Sequence, residues 1–425
     1  MLERTITGVI EEYTKNFRVL LLTGQRQVGK TTVLEKLAKG KRTHITLDNA
    51  KFLALARRDP ELFLSDNPPP VLIDEIQYAP ELFPYIKMYV DSNKKQKGAF
   101  WLTGSQKFSL MKGVQESLAG RIVILDLLGL SYREKIKSPQ YKPFLPEFIQ
   151  HNAQTAKMPA GLHENAVLPG KNALKKTKPL SAKGLYKYIW EGSLPELVTD
   201  KKLNREAFYS SYIQSYIERD VRDFYNVEKP LQFYNFLSAV AARTGKLVNY
   251  SNLARDIGID VKTAQAWMGV LERSCLVYLL QPYTPNITKR IIKTPKVYFL
   301  DTGLCAYLCR WETPEALYSG AMDGAILETY CFGEILKSYR HNGINPLIYF
   351  YRDTDQREID FIIEKNMILY PIEVKKTAMP SEKDIKHFDA LKKLGKKVGT
   401  GAVLCLSQSR MPINREVVSV PVWEI

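Results

Sequence analysis

Short, wholly apolar runs punctuate the first third of the chain and alternate with stretches of mixed polarity. This is the pattern of parallel strands buried on both faces and separated by helices. Val19-Leu20-Leu21-Leu22 predicts the first strand, which leads directly into Thr23-Gly24-Gln25-Arg26-Gln27-Val28-Gly29-Lys30-Thr31-Thr32 and a helix over 32–39. Val71-Leu72-Ile73, Ala99-Phe100-Trp101-Leu102 and Ile122 to Leu125 predict three more buried strands. From Lys135 to Pro179 no period survives; prolines stand at 139, 143, 146, 159, 169 and 179, and eight lysines face only Glu147 and Glu164, which predicts a long basic insertion or linker.

Helical spacing returns over Asn204 to Asp223. Residues 232–283 then have the order of a winged helix: a helix from Phe233 to Arg243, Ser251 as cap for Asn252 to Ile257, a turn at Gly258, and Asp260 capping Lys262 to Ser274. A strand from Leu276 to Leu280 and a hairpin from Pro285 to Pro295 complete it. The last third predicts a helix over Gly324 to Arg340, strands over Leu347 to Arg352, Glu358 to Ile363 and Ile368 to Lys375, a helix from Ser381 to Leu394 and a strand from Ala402 to Leu406.

At 425 residues there is room for two to four domains, and 45% hydrophobic with 25% charged residues argues against a largely disordered or fibrous chain. Lys and Arg number 61 against 45 Asp and Glu, a net +16 that favours a polyanionic partner such as nucleic acid, with a merely soluble basic protein as the alternative. No apolar run approaches the 18 or so residues of a membrane span, and no apolar segment follows the N-terminus, so the expectation is a cytoplasmic protein without membrane attachment. Five cysteines without paired CxxC spacing and five scattered histidines speak against a Cys or His metal centre.

The segment from Gly24 to Thr31 is a complete GxxxxGK[ST] phosphate-binding loop. Gly24 and Gly29 let the backbone N–H groups of Gln25, Arg26, Gln27 and Val28 face phosphates; Lys30 reaches the β and γ oxygens, Thr31 offers its hydroxyl to Mg²⁺, and the helix opening near Thr32 adds its dipole. Asp74 and Glu75, ending the second strand, suit a Mg²⁺ ligand and a general base for water, against the plainer alternative of two solvated acids. Ser105 follows the third strand as a γ-phosphate sensor candidate. Arg121 opens the fourth as a candidate transition-state arginine supplied to a neighbouring copy of a homo-oligomer, or a simple surface arginine.

On the winged-helix reading, the exposed face of the second capped helix offers Lys262, Thr263, Gln265 and Arg273, and the wing carries Lys289, Arg290 and Lys293, a DNA-contacting set; protein docking is the alternative use of the same fold. In the last third Asp360 lies on one strand, Glu373 and Lys375 share a face of the next, and Glu328 stands on the preceding helix. Two acids and a lysine so arranged resemble the PD-(D/E)xK nuclease superfamily, in which Asp360 and Glu373 would hold Mg²⁺, Lys375 would orient water and Glu328 would complete the metal shell. An inactive nuclease-like domain is the alternative.

Beyond these separate motifs, Ile73-Asp74-Glu75-Ile76-Gln77, Leu102-Thr103-Gly104-Ser105, Ser117-Leu118-Ala119-Gly120-Arg121, Tyr216-Ile217-Glu218-Arg219-Asp220, Tyr298-Phe299-Leu300-Asp301-Thr302-Gly303-Leu304 and Ile372-Glu373-Val374-Lys375 join the phosphate loop in a wider likeness. Over nearly its full length the chain resembles a family of prokaryotic AAA+ type ATPases that join a P-loop core to a winged helix and a C-terminal nuclease-like domain. The resemblance implies ATP binding and Mg²⁺-dependent hydrolysis, carried here by Lys30, Thr31, Asp74 and Glu75. The fold class expected is α/β: a P-loop NTPase parallel-sheet core (1–134), a basic insertion (135–180), an α-helical winged-helix region (181–310) and a C-terminal α/β nuclease-like domain (311–425). The chain departs from the pattern in its lysine-rich stretch and in lacking a clear second-sensor arginine. Three functions compete: a nucleic-acid-directed ATPase, a nucleotide switch read by a protein partner, and, less favoured because Glu75 selects water, a small-molecule kinase.

Overall fold

Alternate residues of one strand go to opposite sides of a sheet, and the runs Val19 to Leu22, Val71 to Ile73 and Phe100 to Leu102 are apolar at every position, so both sides must be covered. The structure, a computed structural model, describes residues 2–105, 117–139, 141–144, 180–217, 221, 229–285 and 294–425. Strands β1 (Val19–Thr23), β2 (Thr43–Thr46), β3 (Val71–Asp74), β4 (Phe100–Gly104) and β5 (Ile122–Asp126) form a parallel sheet in the order β2-β3-β4-β1-β5. Val19, Leu21, Val71, Ile73, Phe100 and Leu102 enter one core, whereas Leu20, Leu22, Leu72 and Trp101 enter another. Helices α1 (Ile6–Asn16), α2 (Lys30–Ala38), α3 (Ala50–Arg58), α4 (Pro60–Asp66) and α5 (Leu82–Ser92) supply the cover.

A short helix α6 (Tyr132–Lys135) follows, started by a capping box between Ser131 and Glu134. Next come α7 (Ala182–Glu191), α8 (Pro195–Thr199), α9 (Arg205–Ser215), α10 (Pro230–Ala241), α11 (Tyr250–Ile257) and α12 (Val261–Arg273). A small antiparallel sheet, β6 (Lys246–Leu247), β8 (Lys296–Phe299) and β7 (Val277–Leu280) in that order, packs with them. Asp260 caps α12 as expected, its carboxylate accepting the Thr263 N–H at 2.8 Å. The cap of α11 is Asn249 rather than Ser251; the Asn249 side chain accepts the Asn252 N–H at 2.9 Å and starts the helix two residues earlier.

Helices α13 (Thr302–Leu308), α14 (Pro314–Ser319) and the 18-residue α15 (Asp323–Arg340) lead to a seven-stranded mixed sheet. Its strands β9 (Ile348–Arg352), β10 (Glu358–Lys365) and β11 (Ile368–Val374) run antiparallel to one another, and β13 (Gly401–Cys405) and β15 (Val417–Pro421) continue parallel to β11. β12 (Lys397–Val398) and β14 (Met411–Pro412) are short edges. The α-helix expected from Ser381 to Leu394 is two 3₁₀ segments, Glu382–Ile385 and Phe388–Leu394. Ile385, Phe388, Leu391 and Leu394 pack into the same cluster at a spacing of three, which lines up on a helix of three residues per turn.

The core that takes Leu20 and Leu22 does not end with the first sheet. It runs on through Tyr186, Phe233 and Trp267 to Ile326, Phe332 and Phe361, so all three sheets share one continuous apolar interior.

Candidate active site

The phosphate loop is bent where its sequence permits. Gly24 has φ 144°, and a Cβ there would lie 2.0 Å from the Leu127 carbonyl oxygen, so the passage of the chain beneath β5 requires glycine. Gln27 (φ 59°) and Gly29 (φ 88°) also adopt left-handed backbone before α2 begins at Lys30, a conformation of the kind found in anion-binding backbone nests. Lys30 is buried, its ammonium donating to the carbonyls of Gly24 at 3.0 Å and Gln25 at 2.9 Å. Burial pushes its pKa down.

β3 delivers Asp74 beside the loop, where the Thr31 hydroxyl donates to Asp74 Oδ1 at 2.8 Å. A hydroxyl and a carboxylate oxygen converging in this way form a hard donor pair that fits Mg²⁺. Burial raises the Asp74 carboxyl, opposed by the hydroxyls of Thr103 and then Thr31. Thr103, on β4 between β1 and β3, donates to the same Asp74 oxygen and accepts the Glu75 N–H at 3.2 Å. Glu75 itself has left-handed backbone (φ 56°), and the Gln77 amide donates to its carboxylate. Thr103 and Gln77 are thus parts of the site that the motif pattern does not single out; a threonine two residues before Ser105 was the available signal.

Ser105 is buried one step past β4, and its hydroxyl has no hydrogen-bond partner among the described residues. Arg121 lies elsewhere. Its strand starts level with Val19, at the opposite end of the sheet from the phosphate loop, and its guanidinium forks onto Asp91 at 2.5 and 3.0 Å. Within one chain it does not meet the loop.

A cleft of about 250 Å³ opens over Arg26, Gln27, Gly29, Lys30, Thr31, Thr32 and Glu75, and α9 closes it with Tyr212 and Ser215. The Gln25 amide donates to the Tyr212 hydroxyl at 2.8 Å, tying the loop to that helix. Behind the loop, buried Arg4 donates to the carbonyls of Val28 and Leu128, each at 2.7 Å, and to Glu134 at 3.1 Å. Burial favours a neutral Glu134, but Arg4, then His341 and the N–H groups of Ser131 and Thr5 outweigh it and hold its pKa at about 2. His341 accepts the Leu128 N–H through Nε2 at 3.3 Å and turns Nδ1 towards Glu134 at 3.5 Å; burial lowers its pKa to about 4.

Every second residue of 126–132 meets the C-terminal half of α15 or the histidine that follows it. Asp126 pairs with Arg340 at 2.7 Å, Leu128 with His341, the Leu130 carbonyl accepts from Lys337 at 3.3 Å, and the Tyr132 N–H donates to Glu334 at 2.8 Å.

The N-terminal half of α15 carries Glu328 into a second charged cluster. Asp360 from β10 accepts the Val374 N–H at 2.8 Å, and Lys375 donates to Glu373 at 2.7 Å. Burial first and Asp360 second push Glu328 up to about 7 and Glu373 up to about 8; burial also raises Asp360. Of the four residues expected there, Glu373 and Lys375 pair and Asp360 bonds the backbone next to Glu373, whereas Glu328 bonds residues of β8. A fifth was not expected: Lys296 of β8 inserts its ammonium between Glu328 at 3.0 Å and Glu358 at 2.7 Å, and Tyr298 donates to the same Glu328 oxygen. A lysine alternating with tyrosine in an otherwise apolar strand was the signal. Each acid is thus engaged by protein donors, and among the described residues no three His, Cys, Asp or Glu side chains are grouped to hold a metal ion. The arrangement does not fit the divalent metal expected there.

On α12, Lys262 and Gln265 are exposed, Arg273 is half-buried, and the Thr263 hydroxyl is committed to Asp260 at 2.5 Å. Lys289, Arg290 and Lys293 lie outside the described residues, as do 145–179, most of the basic insertion. Among the described residues no helix is long and apolar enough to cross a membrane.

Residues 16–136 match a family described as "AAA domain", and residues 182–315 and 323–425 match two families described as domains of unknown function. An uncharacterized protein of Mycobacterium tuberculosis is 27% identical over 409 residues, spanning 96% of this chain and 80% of the relative. One of Methanocaldococcus jannaschii is 24% identical over 356 residues, spanning 77% and 68%. Among solved structures, a Walker-type ATPase of Pyrococcus abyssi aligns at 15% identity and TM-score 0.44 over 72% of this chain and 96% of its own. The RuvB Holliday junction branch migration motor of Thermotoga maritima aligns at 13% identity and TM-score 0.29 over 64% and 87%. The AAA-domain match and the loop geometry agree on a nucleotide-binding P-loop ATPase core.

Proposed function

We propose that this protein is a Mg²⁺-dependent ATPase whose nucleotide state directs the rest of the chain in work on or with nucleic acid. The observation that carries the hydrolytic part is the constellation at the strand ends: Thr31 on Asp74, Thr103 on Asp74 and on the Glu75 backbone, with Lys30 facing the same cleft. Lys30 would neutralise the γ-phosphoryl oxygens, Thr31 and Asp74 would hold Mg²⁺, and Glu75, held by Gln77, would take the proton of the attacking water. Ser105 is the candidate contact to the γ-phosphate. Arg121 retains a role only if a second copy brings it to the cleft.

The nucleic-acid part is supported by the +16 net charge and by reading the helices and strands of the described residues 230–285 and 294–299 as a winged helix, with Lys262 and Gln265 exposed on its second capped helix. Steady-state hydrolysis in Mg²⁺ with and without double-stranded DNA, with Glu75→Gln as blank, tests both parts. DNA stimulation that vanishes in Glu75→Gln is expected; turnover in Glu75→Gln equal to wild type refutes the catalytic assignment.

A second reading, a nucleotide switch read by a protein partner with a catalytically silent C-terminal domain, is favoured by one observation: Glu328, Glu358 and Glu373 are already paired with lysines of the chain. On that reading hydrolysis is slow and indifferent to DNA, and Asp360→Ala leaves function intact while Lys30→Ala abolishes it.

A further inference from the structure

Arg4 is a charged residue for which its own segment gives no reason. It stands just before α1, only 6% exposed, behind the phosphate loop. A buried guanidinium is costly to desolvate unless it is paired and hydrogen-bonded. All three of its nitrogens are engaged: Nε on Glu134 at 3.1 Å, Nη2 on the Leu128 carbonyl at 2.7 Å and Nη1 on the Val28 carbonyl at 2.7 Å. Glu134 is held in turn by the N–H groups of Thr5 at 2.8 Å and Ser131 at 2.9 Å. The guanidinium is planar, so once Glu134 and Leu128 fix two of its directions the third, towards Val28, is fixed as well.

Nη1 thereby holds one particular peptide plane. In a trans peptide the C=O and N–H point in opposite directions, so a Val28 carbonyl drawn back onto Arg4 turns the Gly29 N–H forward. Forward is the cleft, which Gly29 lines with Lys30 and Thr31, whereas Val28 is buried behind it. The next plane is settled separately, because the Gly29 carbonyl accepts the Val33 N–H at 3.0 Å as α2 begins.

Between these two planes Gly29 takes φ 88°, a conformation natural to glycine. Crowding is not what demands glycine there, since a Cβ would meet nothing closer than 3.9 Å. The same freedom in φ has a cost. It lets the 28–29 peptide turn over, which would face a carbonyl oxygen, instead of an N–H, towards bound phosphates. A donor on the far side of the loop opposes that turn.

We propose that Arg4 is a positioning residue for phosphate binding: by holding the Val28 carbonyl it keeps the Gly29 N–H aimed into the cleft as a donor to the phosphates of the nucleotide. The inference rests on the nucleotide-binding reading of the loop and adds to it a residue outside the motif, supplied by the segment before α1.

The sequence offers a selective probe. Val-Gly occurs twice in the chain, at 28–29 and 398–399, so full-length protein labelled with ¹³C at the valine carbonyl and ¹⁵N in glycine gives two correlated amide signals. Gly399 is the internal reference, its N–H donating to the Leu369 carbonyl at 2.9 Å in the C-terminal sheet. Pyrophosphate with Mg²⁺ should move the Gly29 signal downfield and leave Gly399 in place.

Two variants are compared with wild type. Arg4→Lys keeps a charge for Glu134 but has no planar fork to reach Val28 as well. The Arg4→Met, Glu134→Gln double variant removes both charges together, so neither is left buried and unpaired. In each, the Gly29 response should shrink or split, and affinity for pyrophosphate and for ADP should fall by the same factor, about tenfold, because the loss lies on the phosphates they share. A merely structural role would lower the unfolding temperature and leave the Gly29 response of the folded protein as in wild type.

Either variant that folds decides. A wild-type Gly29 response with wild-type affinity overturns the proposal alone. So does wild type that binds pyrophosphate with its Gly29 signal unmoved, a result that needs no variant. Wild type that binds neither pyrophosphate nor ADP overturns the nucleotide reading and the proposal with it.

Discussion

Thr103 holds Asp74 and the Glu75 N–H at once, so on the proposed mechanism its removal separates assembly of the site from affinity for nucleotide. In Thr103→Val, Asp74 keeps only Thr31 and the Glu75 N–H loses its acceptor. Turnover should fall by about 10- to 100-fold with KM for ATP nearly unchanged, and Thr103→Ser should restore most of it. A large rise in KM at unchanged kcat in steady-state assays would contradict this role. His341 and Glu134 make a different prediction, about pH. The folded-state pKa of His341, about 4, lies below its ordinary 6.5, so the unfolded chain binds the proton first and stability, complete above pH 6.5, declines as pH falls towards 4. Glu134, held at about 2, adds a second loss beginning below pH 4.5. The first step amounts to at most roughly 3 kcal/mol. His341→Gln should flatten the unfolding midpoint between pH 6.5 and 4 while leaving the decline below 4.5. What was legible at this scale is what was contiguous: Gly24 to Thr32 declares itself because its chemistry sits in nine consecutive residues. Arg4 and Tyr212 do not, because their partners Glu134 and Gln25 are 130 and 187 residues away in the chain.

Elements were readable where burial is simple. β1, β3 and β4 follow from apolar runs that must face two cores, and α15 follows from an apolar stripe at helical spacing. β2 (Thr-His-Ile-Thr) and β8 were not, one because half of it is exposed at a sheet edge and the other because a lysine interrupts it. The spacing of three in Ile385, Phe388 and Leu391 fits either helix type on paper, and packing selects 3₁₀. The candidate site divides along the same line: the loop and the Asp74–Glu75 pair were visible, whereas the wall that α9 builds over them was not. Tyr212 reports on that wall. Tyr212→Phe removes the Gln25 hydrogen bond at little cost in packing, so KM for ATP should rise about fivefold, the equivalent of about 1 kcal/mol, with kcat held. Nucleotide titration that gives wild-type affinity in Tyr212→Phe would remove α9 from the site. Phe332 tests α15 in turn; it is fully buried between Tyr298 and Phe361, and Phe332→Ala should cost about 3–5 kcal/mol in denaturant unfolding.

Across the whole molecule, the continuous interior joins the three sheets into one thermodynamic body. Calorimetry should show a single cooperative transition, and Mg²⁺ with ADP at about a hundred times its dissociation constant should add about 2.7 kcal/mol to the whole of it. Separate transitions, with only one responding to nucleotide, would show that the shared interior does not couple the parts. The basic surplus makes its own prediction: any DNA affinity should fall steeply between low and moderate salt, and binding indifferent to salt would assign the +16 to solubility.

Because α15 holds Glu328 at one end and Glu334, Lys337 and Arg340 towards the other, its length is as constrained as its chemistry. Each residue of an α-helix advances about 1.5 Å and turns about 100°. Inserting or deleting a single residue between Gly333 and Phe332 would therefore swing one set of side chains a quarter-turn or more away from its partners while the other stayed in place. The helix works as a fixed-length gauge between phosphate loop and acid cluster, and substitutions along it should be tolerated far better than any change in its count of residues.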